Sequence, residues 1–282
     1  MIKCFQNQTL KDFEVIFVVD SFNKMERWKD GNIEKLMSNI RFITNQNSDF
    51  IPWKWASYVR NYWISKAKWE FINLMDDDED FWAEYLEKSV KLREKYYKIV
   101  WKKFILTPTL IYRKTWEIQS QWFVFFCPLL WKPIPYKLWK KQEYWKIKMF
   151  SCNSIFWPNE IFKKIKFDEK IDFEGEDLDF TYRINLSWYP IIVTKELELN
   201  HMEKNKTKLE KLRIWNPSQA YKKARHRILF VNKNCNMFQK IIFYCFWLWM
   251  FSFASIMRVL FLWKNTNKTI LIKEFFRWIF WK

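Results

Sequence analysis

Residues 53–80 read WKWASYVRNYWISKAKWEFINLMDDDED. Apolar side chains recur at helical spacing over residues 56–68, which predicts a helix. The next apolar run, FINLM at residues 71–75, predicts a short buried strand. It leads directly into the acidic residues 76–80. The segment therefore predicts a helix, a buried strand and a cluster of carboxylates at the carboxyl end of that strand.

Similar units lie on both sides of this segment. Residues 15–19 form the β-branched run VIFVV, which ends at Asp20, and residues 42–43 predict a second strand. A predicted helix over residues 177–186 and a predicted strand over residues 191–193 follow later in the chain. Alternating strands and helices favour an α/β fold with a mostly parallel sheet. Ligands bind at the carboxyl ends of strands in such sheets, so Asp20 and the acidic cluster are candidate ligand-binding residues.

The composition is unusual in tryptophan and glycine. The 282 residues include 20 tryptophans and 2 glycines, whereas glycine normally makes up about 7% of a chain. Trp69 and Trp188 each stand between a predicted helix and the next strand, where a left-handed glycine cap is expected. A bulky side chain is strained at positive φ. We therefore hypothesise that most tryptophans stand at glycine positions, as when a UGA codon that encodes glycine is translated as tryptophan.

With glycine at four of these positions, residues 53–80 resemble the signature segment of inverting family 2 glycosyltransferases of the GT-A fold. The four positions are Trp53, Trp55, Trp63 and Trp69. Residues 167–183, FDEKIDFEGEDLDFTYR, are similar to a second segment of that family, and residues 107–122 resemble rhamnosyltransferase-like members that build cell-surface polysaccharides. The resemblance implies a Rossmann-like mixed sheet flanked by helices. The family's first strand has no counterpart here, so we expect an N-terminally truncated chain that lacks it.

The resemblance implies a site for a nucleotide-diphospho-sugar donor and a divalent metal, Mg²⁺ or Mn²⁺. Asp78 is the implied metal ligand, Asp76 lies nearer the ribose and is a second candidate ligand, and His201 is a third. Carboxylate oxygens hold such hard cations, which bridge the phosphates of the donor. The candidate donor-binding residues are Asp20, Arg60, Asn61, Asp76, Asp77 and Arg183. Taken alone, the acidic cluster would also fit the N-terminus of a helix.

The resemblance also implies the catalytic residues. Asp177 matches the position of the family's base, and Glu176 is its neighbour. Inverting transfer is a single displacement at the anomeric carbon, so a carboxylate must accept the proton of the acceptor hydroxyl. Without the resemblance, these carboxylates would fit the acidic first turn of a helix. Arg183 fits either a diphosphate contact or a salt bridge.

The charge and the C-terminal sequence favour a membrane surface as a partner. The formal net charge is +18, which favours anionic partners. Residues 241–257 carry no charge, and a run of about 17 apolar residues is the lower limit for crossing a bilayer. We expect segment 241–263 to attach the protein to the cytoplasmic face of a bacterial plasma membrane. The alternatives of spanning the bilayer and dipping into it stay open.

These patterns divide the chain into two regions. Residues 1–215 are expected to form the glycosyltransferase domain, with the donor half over about 1–100 and the acceptor half over about 101–215. Residues 216–282 are expected to form a basic, membrane-associated helical region. The expected partners are the nucleotide-sugar donor, a glycan or polyprenyl-linked acceptor of cell-envelope polysaccharide synthesis, and an anionic membrane surface, with no nucleic acid.

Three alternatives remain open at this point. A nucleotidyltransferase also combines a Rossmann-like sheet with metal-binding carboxylates. A basic, aromatic-rich protein with genuine tryptophans would bind nucleic acid by stacking on bases. An inactive fragment would follow from the absent first strand. A disordered chain is excluded because half of the residues are hydrophobic, and five scattered cysteines without a CxxC argue against a disulfide scaffold or a zinc ribbon.

Overall fold

The structure is a computed structural model of the 282-residue chain. It describes residues 1–18, 40–43, 56–76, 78–113, 116–118, 122–127, 132–135, 143–150, 154–171, 175–201, 217–247 and 249. The helices are α1 (Ile2–Gln6), α2 (Ala56–Lys66), α3 (Tyr85–Val100), α4 (Asn159–Lys164), α5 (Glu176–Leu186), α6 (Pro217–Asn234), α7 (Met237–Ile242) and a π-helical turn (Phe243–Trp247). The strands are β1 (Val15–Val18), β2 (Ile40–Ile43), β3 (Phe71–Met75), β4 (Glu79–Asp80), β5 (Ile105–Tyr112), β6 (Trp122–Cys127), β7 (Lys132–Pro135), β8 (Tyr144–Ile147), β9 (Met149–Phe150), β10 (Ser154–Pro158) and β11 (Ile191–His201).

The central element is a mixed six-stranded sheet. Its order is β3-β10-β5-β11-β4, and β8 pairs with β11 on the same side as β4. β5 and β11 are parallel, whereas β10 is antiparallel to both β3 and β5. The mixed sheet and flanking helices were predicted, but the mostly parallel pairing was wrong for this sheet. Parallel neighbours require long crossovers, and the strand–helix repeat that predicted them covers only the first part of the chain.

Strands β1 and β2 form a separate parallel pair. Val15 to Val18 pair in register with Ile40 to Ile43, which confirms parallel pairing for the first two predicted strands. A third, antiparallel sheet joins β7, β6 and β9. These three strands are short, with two to six residues each.

Strand β11 positions the end of the candidate site. Its first residues pair with β5 at Ile105, and after an irregularity between Thr194 and Glu198 the pairing resumes through to His201 and Tyr112. The sequence predicted only residues 191–193 as a strand because polar residues interrupt the apolar pattern beyond them. Pairing with β5 on one side extends the strand by eight residues, and this extension carries His201 to the strand's end.

Hydrophobic residues on the two faces of the sheet form two separate cores. Successive side chains of a strand point to opposite faces, so Ile105 and Ile191 belong to one core and their neighbours Leu106 and Ile192 to the other. The first core packs against α2, α4 and α5, and the second packs against α1 and α3. The molecule therefore has helices on both faces of the sheet, which is the predicted α/β arrangement.

Three tryptophans have the left-handed backbone conformation that favours glycine. Trp101, Trp116 and Trp188 have φ of 54°, 57° and 65°, and within the described ranges no other non-glycine residue has a positive φ. Trp188 follows α5 and confirms the prediction for that position. The same prediction was wrong for Trp69, because α2 already ends at Lys66 and Trp69 lies beyond its last turn.

The C-terminal helices pack against the sheet domain. α6 and the π-helical turn contribute Phe230, Val231 and Phe243 to a third hydrophobic cluster, and Met149 of β9 completes it. No helix within the described residues combines the length and apolarity that crossing a membrane requires. Most of the predicted membrane segment 241–263 lies outside the described residues.

Candidate active site

Arg60 connects the two acidic motifs that the sequence singled out. It lies on α2, and its Nη1 is 2.8 Å from Oε1 of Glu176 at the start of α5. Its Nη2 is 3.9 Å from Oδ1 of Asp76, directly after β3. The guanidinium also lies 5.4 Å from the ring centre of Phe167. Asp76 and Glu176, which are one hundred positions apart in the sequence, therefore meet around one cation.

Asp78 and His201 form a second contact at the same strand ends. Oδ1 of Asp78 is 3.5 Å from Nε2 of His201. The short strand β4 causes this contact, because Glu79 pairs directly with His201 across the β4–β11 ladder. Nδ1 of His201 is buried and has no hydrogen-bond partner among the described residues. Both side chains are about four-fifths buried.

The first turn of α5 carries Glu176 and Asp177. Oε2 of Glu176 accepts a hydrogen bond from the backbone N–H of Gly175 at 3.1 Å, and Oδ1 of Asp177 accepts one from Leu178 at 2.8 Å. Carboxylates in this position interact favourably with the positive end of the helix dipole. Glu176 is buried, whereas Asp177 is half-buried and accessible. Gly175 has φ of 132°, a conformation that side chains rarely adopt.

Two predicted donor-binding residues make structural contacts. The Asn61 amide donates to the carbonyl of Phe167 and to Oε1 of Glu169, both at 3.0 Å, and its Oδ1 accepts from the backbone of Phe167. Arg183 donates to Asp179 and to the carbonyl of Lys166, both at 2.7 Å. Arg183 therefore forms the salt bridge that was one of its two predicted alternatives. The donor-binding role of both residues stays a prediction.

The remaining predicted residues, Asp20 and Asp77, lie outside the described residues. Among the predicted residues, Arg60 meets Asp76 and Glu176, and Asp78 meets His201. The sequence did not indicate Ser57 or Lys233, whose side chains hold the segment before α5. Their contacts join distant parts of the chain, and no local pattern reports them.

The residues at the strand ends fit a divalent cation whose coordination is completed by a bound diphosphate. Asp78 and His201 offer one carboxylate and one imidazole, and Asp76 offers a further carboxylate nearby. No group of three or more His, Cys, Asp or Glu side chains within the described ranges could hold a metal on its own. Mg²⁺ is commonly bound by only one or two carboxylates together with substrate phosphates and water. The strand-end residues therefore fit such a cation in the presence of a diphosphate.

Comparison with known proteins supports the fold. The sequence matches no protein-family model, and the search of curated proteins gives no match. Among solved structures, the chain is similar to GalNAc-T7 with UDP, GalNAc and Mn²⁺, with a TM-score of 0.60 and 14% identity over 82% of this chain. It is also similar to TarS of S. aureus, with a TM-score of 0.49 and 13% identity over 84% of this chain.

The chain spans 43% of the length of the GalNAc-T7 chain and 41% of that of TarS. Both relatives are glycosyltransferases of the GT-A type. The similarity to GalNAc-T7 confirms the predicted GT-A type of α/β fold for this chain.

Proposed function

We propose that this protein is an inverting glycosyltransferase of family 2 that moves a sugar from a nucleotide-diphosphate donor to a hydroxyl group of its acceptor. The observation that carries the proposal is the contact of Arg60 with both Asp76 and Glu176. A sugar transferase needs a cation beside the departing diphosphate and a carboxylate beside the acceptor. Arg60 lies between the acidic motif that would hold this cation and the acidic motif that would supply the carboxylate. The fold that carries both motifs is one that glycosyltransferases share.

Asp177 acts as the base in this proposal. Its carboxylate accepts the proton of the acceptor hydroxyl while the acceptor oxygen forms a bond to the anomeric carbon. The bond from that carbon to the phosphate oxygen breaks, and its electron pair leaves with the nucleoside diphosphate. Asp177 suits this task because it is more accessible than Glu176, which is engaged with Arg60. Glu176 keeps the guanidinium in place beside the diphosphate.

Together with the diphosphate of the donor, Asp78, His201 and Asp76 would hold Mg²⁺ or Mn²⁺, which would supply positive charge to neutralise that diphosphate. The donor would lie across the strand ends, which is where ligands bind in open α/β sheets. The GalNAc-T7 structure contains UDP and Mn²⁺, which supports this choice of donor and metal class.

Release of nucleoside diphosphate from a panel of UDP-, GDP- and dTDP-sugars tests the proposal. Asp177→Asn should lower turnover by about 10²–10⁴-fold, because it removes the base but keeps the shape. Asp12→Asn, an exposed aspartate outside the site, is the matched control and should leave turnover unchanged. Release of pyrophosphate instead of diphosphate would indicate nucleotidyl transfer. Full turnover in Asp177→Asn would refute the assigned base.

The acceptor is proposed to be a glycan or a polyprenyl-linked sugar of cell-envelope polysaccharide synthesis, reached from the cytoplasmic face of the plasma membrane. Exposed apolar side chains on and after α7 support attachment to this surface. They are Met237, Phe238, Ile241, Phe246 and Trp249. Aromatic and basic segments of this kind lie at membrane interfaces, and the basic chain favours anionic lipid.

Vesicle co-sedimentation tests the attachment. The protein should pellet with phosphatidylglycerol vesicles and less with phosphatidylcholine vesicles, because anionic headgroups attract its positive charge. Phe238→Ser together with Ile241→Ser should weaken the association, since both side chains are exposed and apolar. Equal pelleting of the wild type and this variant would contradict the role of α7.

A further inference from the structure

We infer that helix α6 holds the catalytic carboxylates of α5 in position and that Lys233 is the positioning residue at their junction. The inference rests on the proposed function and assigns a role to a helix that the sequence placed in a membrane-associated region. Lys233 lies in the last turn of α6. Nζ of Lys233 lies 2.5 Å from Oδ2 of Asp168 and 3.3 Å from Oδ2 of Asp179.

Asp179 is the group at this junction that requires hydrogen-bond and ion-pair partners. Its side chain is fully buried, and a buried carboxylate is costly unless it is paired and hydrogen-bonded. Arg183 donates to Oδ2 at 2.7 Å, and Asn234 of α6 donates to Oδ1 at 2.9 Å. Among the described residues, three side chains donate to Asp179, and two of them, Lys233 and Asn234, come from the end of α6. Asp179 follows Asp177 by two residues, so these contacts restrain the first turn of α5.

The segment before α5 is held from both sides. Asp168 accepts from Lys233, and the carbonyl of Lys170 accepts from Arg225 at 3.2 Å, both of them donors on α6. On the other side, Ser57 of α2 donates to the carbonyl of Ile171 at 2.7 Å. Residues 168–171 are thus fixed between two helices directly upstream of the catalytic turn.

Electrostatics supports the Asp168–Lys233 contact. Burial raises the pKa of Asp168, but the Lys233 ammonium and the backbone N–H of Lys170 lower it more, so the pKa lies below its usual value. Asp168 is therefore charged at neutral pH, and the pairing is lost only as the pH falls through this lowered pKa. The contact persists over the pH range in which an enzyme of this class would act.

Packing along α6 places the same helix against the start of α5. The rings of Phe230 and Tyr182 lie 5.3 Å apart. His226 is buried, and a Cβ added to Gly175 would lie 3.8 Å from the Cβ of His226. Residues 216–282, which include His226, were expected to form a basic, membrane-associated region. His226 instead packs beside Gly175, which precedes Glu176. Helix α6 therefore lies against the turn that carries the proposed catalytic carboxylates.

The test compares Lys233→Met, Lys233→Arg and Lys91→Met in the full chain. Lys233→Met keeps the length of the side chain but removes its charge, so kcat should fall by about 100-fold through misplacement of Asp177. The KM for the donor should stay within about twofold, because the strand ends that bind it are unchanged. Lys233→Arg keeps the charge and should restore most of kcat. Lys91→Met removes an exposed pair with Glu87 and should leave both constants unchanged.

Hydrogen–deuterium exchange separates this inference from the proposed function. In Lys233→Met the amides of residues 167–186 should exchange faster, while those of α3 should not, whether or not a donor has been identified. Unchanged exchange in residues 167–186 would overturn the inference. Faster exchange with unchanged kcat in an active enzyme would also overturn it, because α6 would then be structural only. Absence of turnover in the wild type, with faster exchange in Lys233→Met, would count against the proposed function and leave the positioning by α6 supported.

Discussion

The tryptophans at the surface turns differ from the tryptophan in the core in exposure and in backbone conformation. Trp101 and Trp188 are 80% and 81% exposed, and their backbones are left-handed. Trp157 is 1% exposed and packs against Phe162 and Phe180. At the turns the backbone favours glycine and the ring contributes little, whereas in the core the ring fills volume. The same letter therefore stands in two physical situations, and the turns are where a glycine is expected.

The core side of this comparison predicts the largest effect. Trp157→Gly should lower the free energy of unfolding by about 3–5 kcal/mol, because removing a buried large side chain leaves a cavity. Urea unfolding would measure the loss. Trp157→Phe is the control, since it keeps much of the volume and should cost less. The indole N–H of Trp157 has no hydrogen-bond partner among the described residues, so phenylalanine leaves no donor unsatisfied.

A small change in the free energy of unfolding in Trp157→Gly would contradict this distinction between core and turns. It would mean that the core also accommodates glycine at this position and that the hypothesis of glycine positions extends beyond the turns. A loss of the expected size would restrict that hypothesis to positions where the backbone itself favours glycine.

The turn side predicts a gain of stability. Trp188→Gly should raise the free energy of unfolding by about 1 kcal/mol, because left-handed strain of about 1–2 kcal/mol is relieved and part of it is offset by the entropy of glycine. Trp188→Ala should gain less, since alanine keeps a Cβ at φ of 65°. Equal stability of the glycine and alanine variants would contradict the backbone explanation. The gene itself gives a second measurement, because the codons at 101, 116 and 188 should be UGA and not UGG.

Local patterns predicted the strand and the helical turn that lie at the two acidic motifs of the candidate site. The apolar run at Phe71–Met75 and the acidic first turn of α5 lie where the sequence placed them. Both depend on neighbouring residues only, and a pattern of neighbours is what a sequence displays. The GT-A type of fold was implied by the resemblance of residues 53–80 and 167–183 to family 2 glycosyltransferases.

Contacts across the chain were not predictable in the same way. Arg60 and Glu176 are 116 positions apart, and Lys233 is 65 positions from Asp168. Their pairing depends on how the sheet and helices pack. The basic C-terminal region predicted a membrane contact because charge is visible in the sequence, whereas the burial of His226 and the partners of Lys233 are not. The C-terminal half of β11 was missed for the same reason, since its polar residues are held by pairing with β5.

The smallest expected effect comes from an exposed tryptophan with an ordinary backbone. Trp82 is 59% exposed, as the turn tryptophans are largely exposed, but it is not among the described residues with positive φ. Trp82→Gly therefore relieves no left-handed strain and should lower the free energy of unfolding by about 0.5 kcal/mol through the added entropy of glycine. Its backbone carbonyl, which accepts from Gln8, is kept in the variant. Urea unfolding of Trp82→Gly and Trp188→Gly separates the effect of the left-handed backbone from that of the exposed ring. The free energy of unfolding should fall in Trp82→Gly and rise in Trp188→Gly. A gain of stability in both variants would show that removing an exposed ring is what stabilises the protein, and the left-handed backbone would then no longer distinguish the turns.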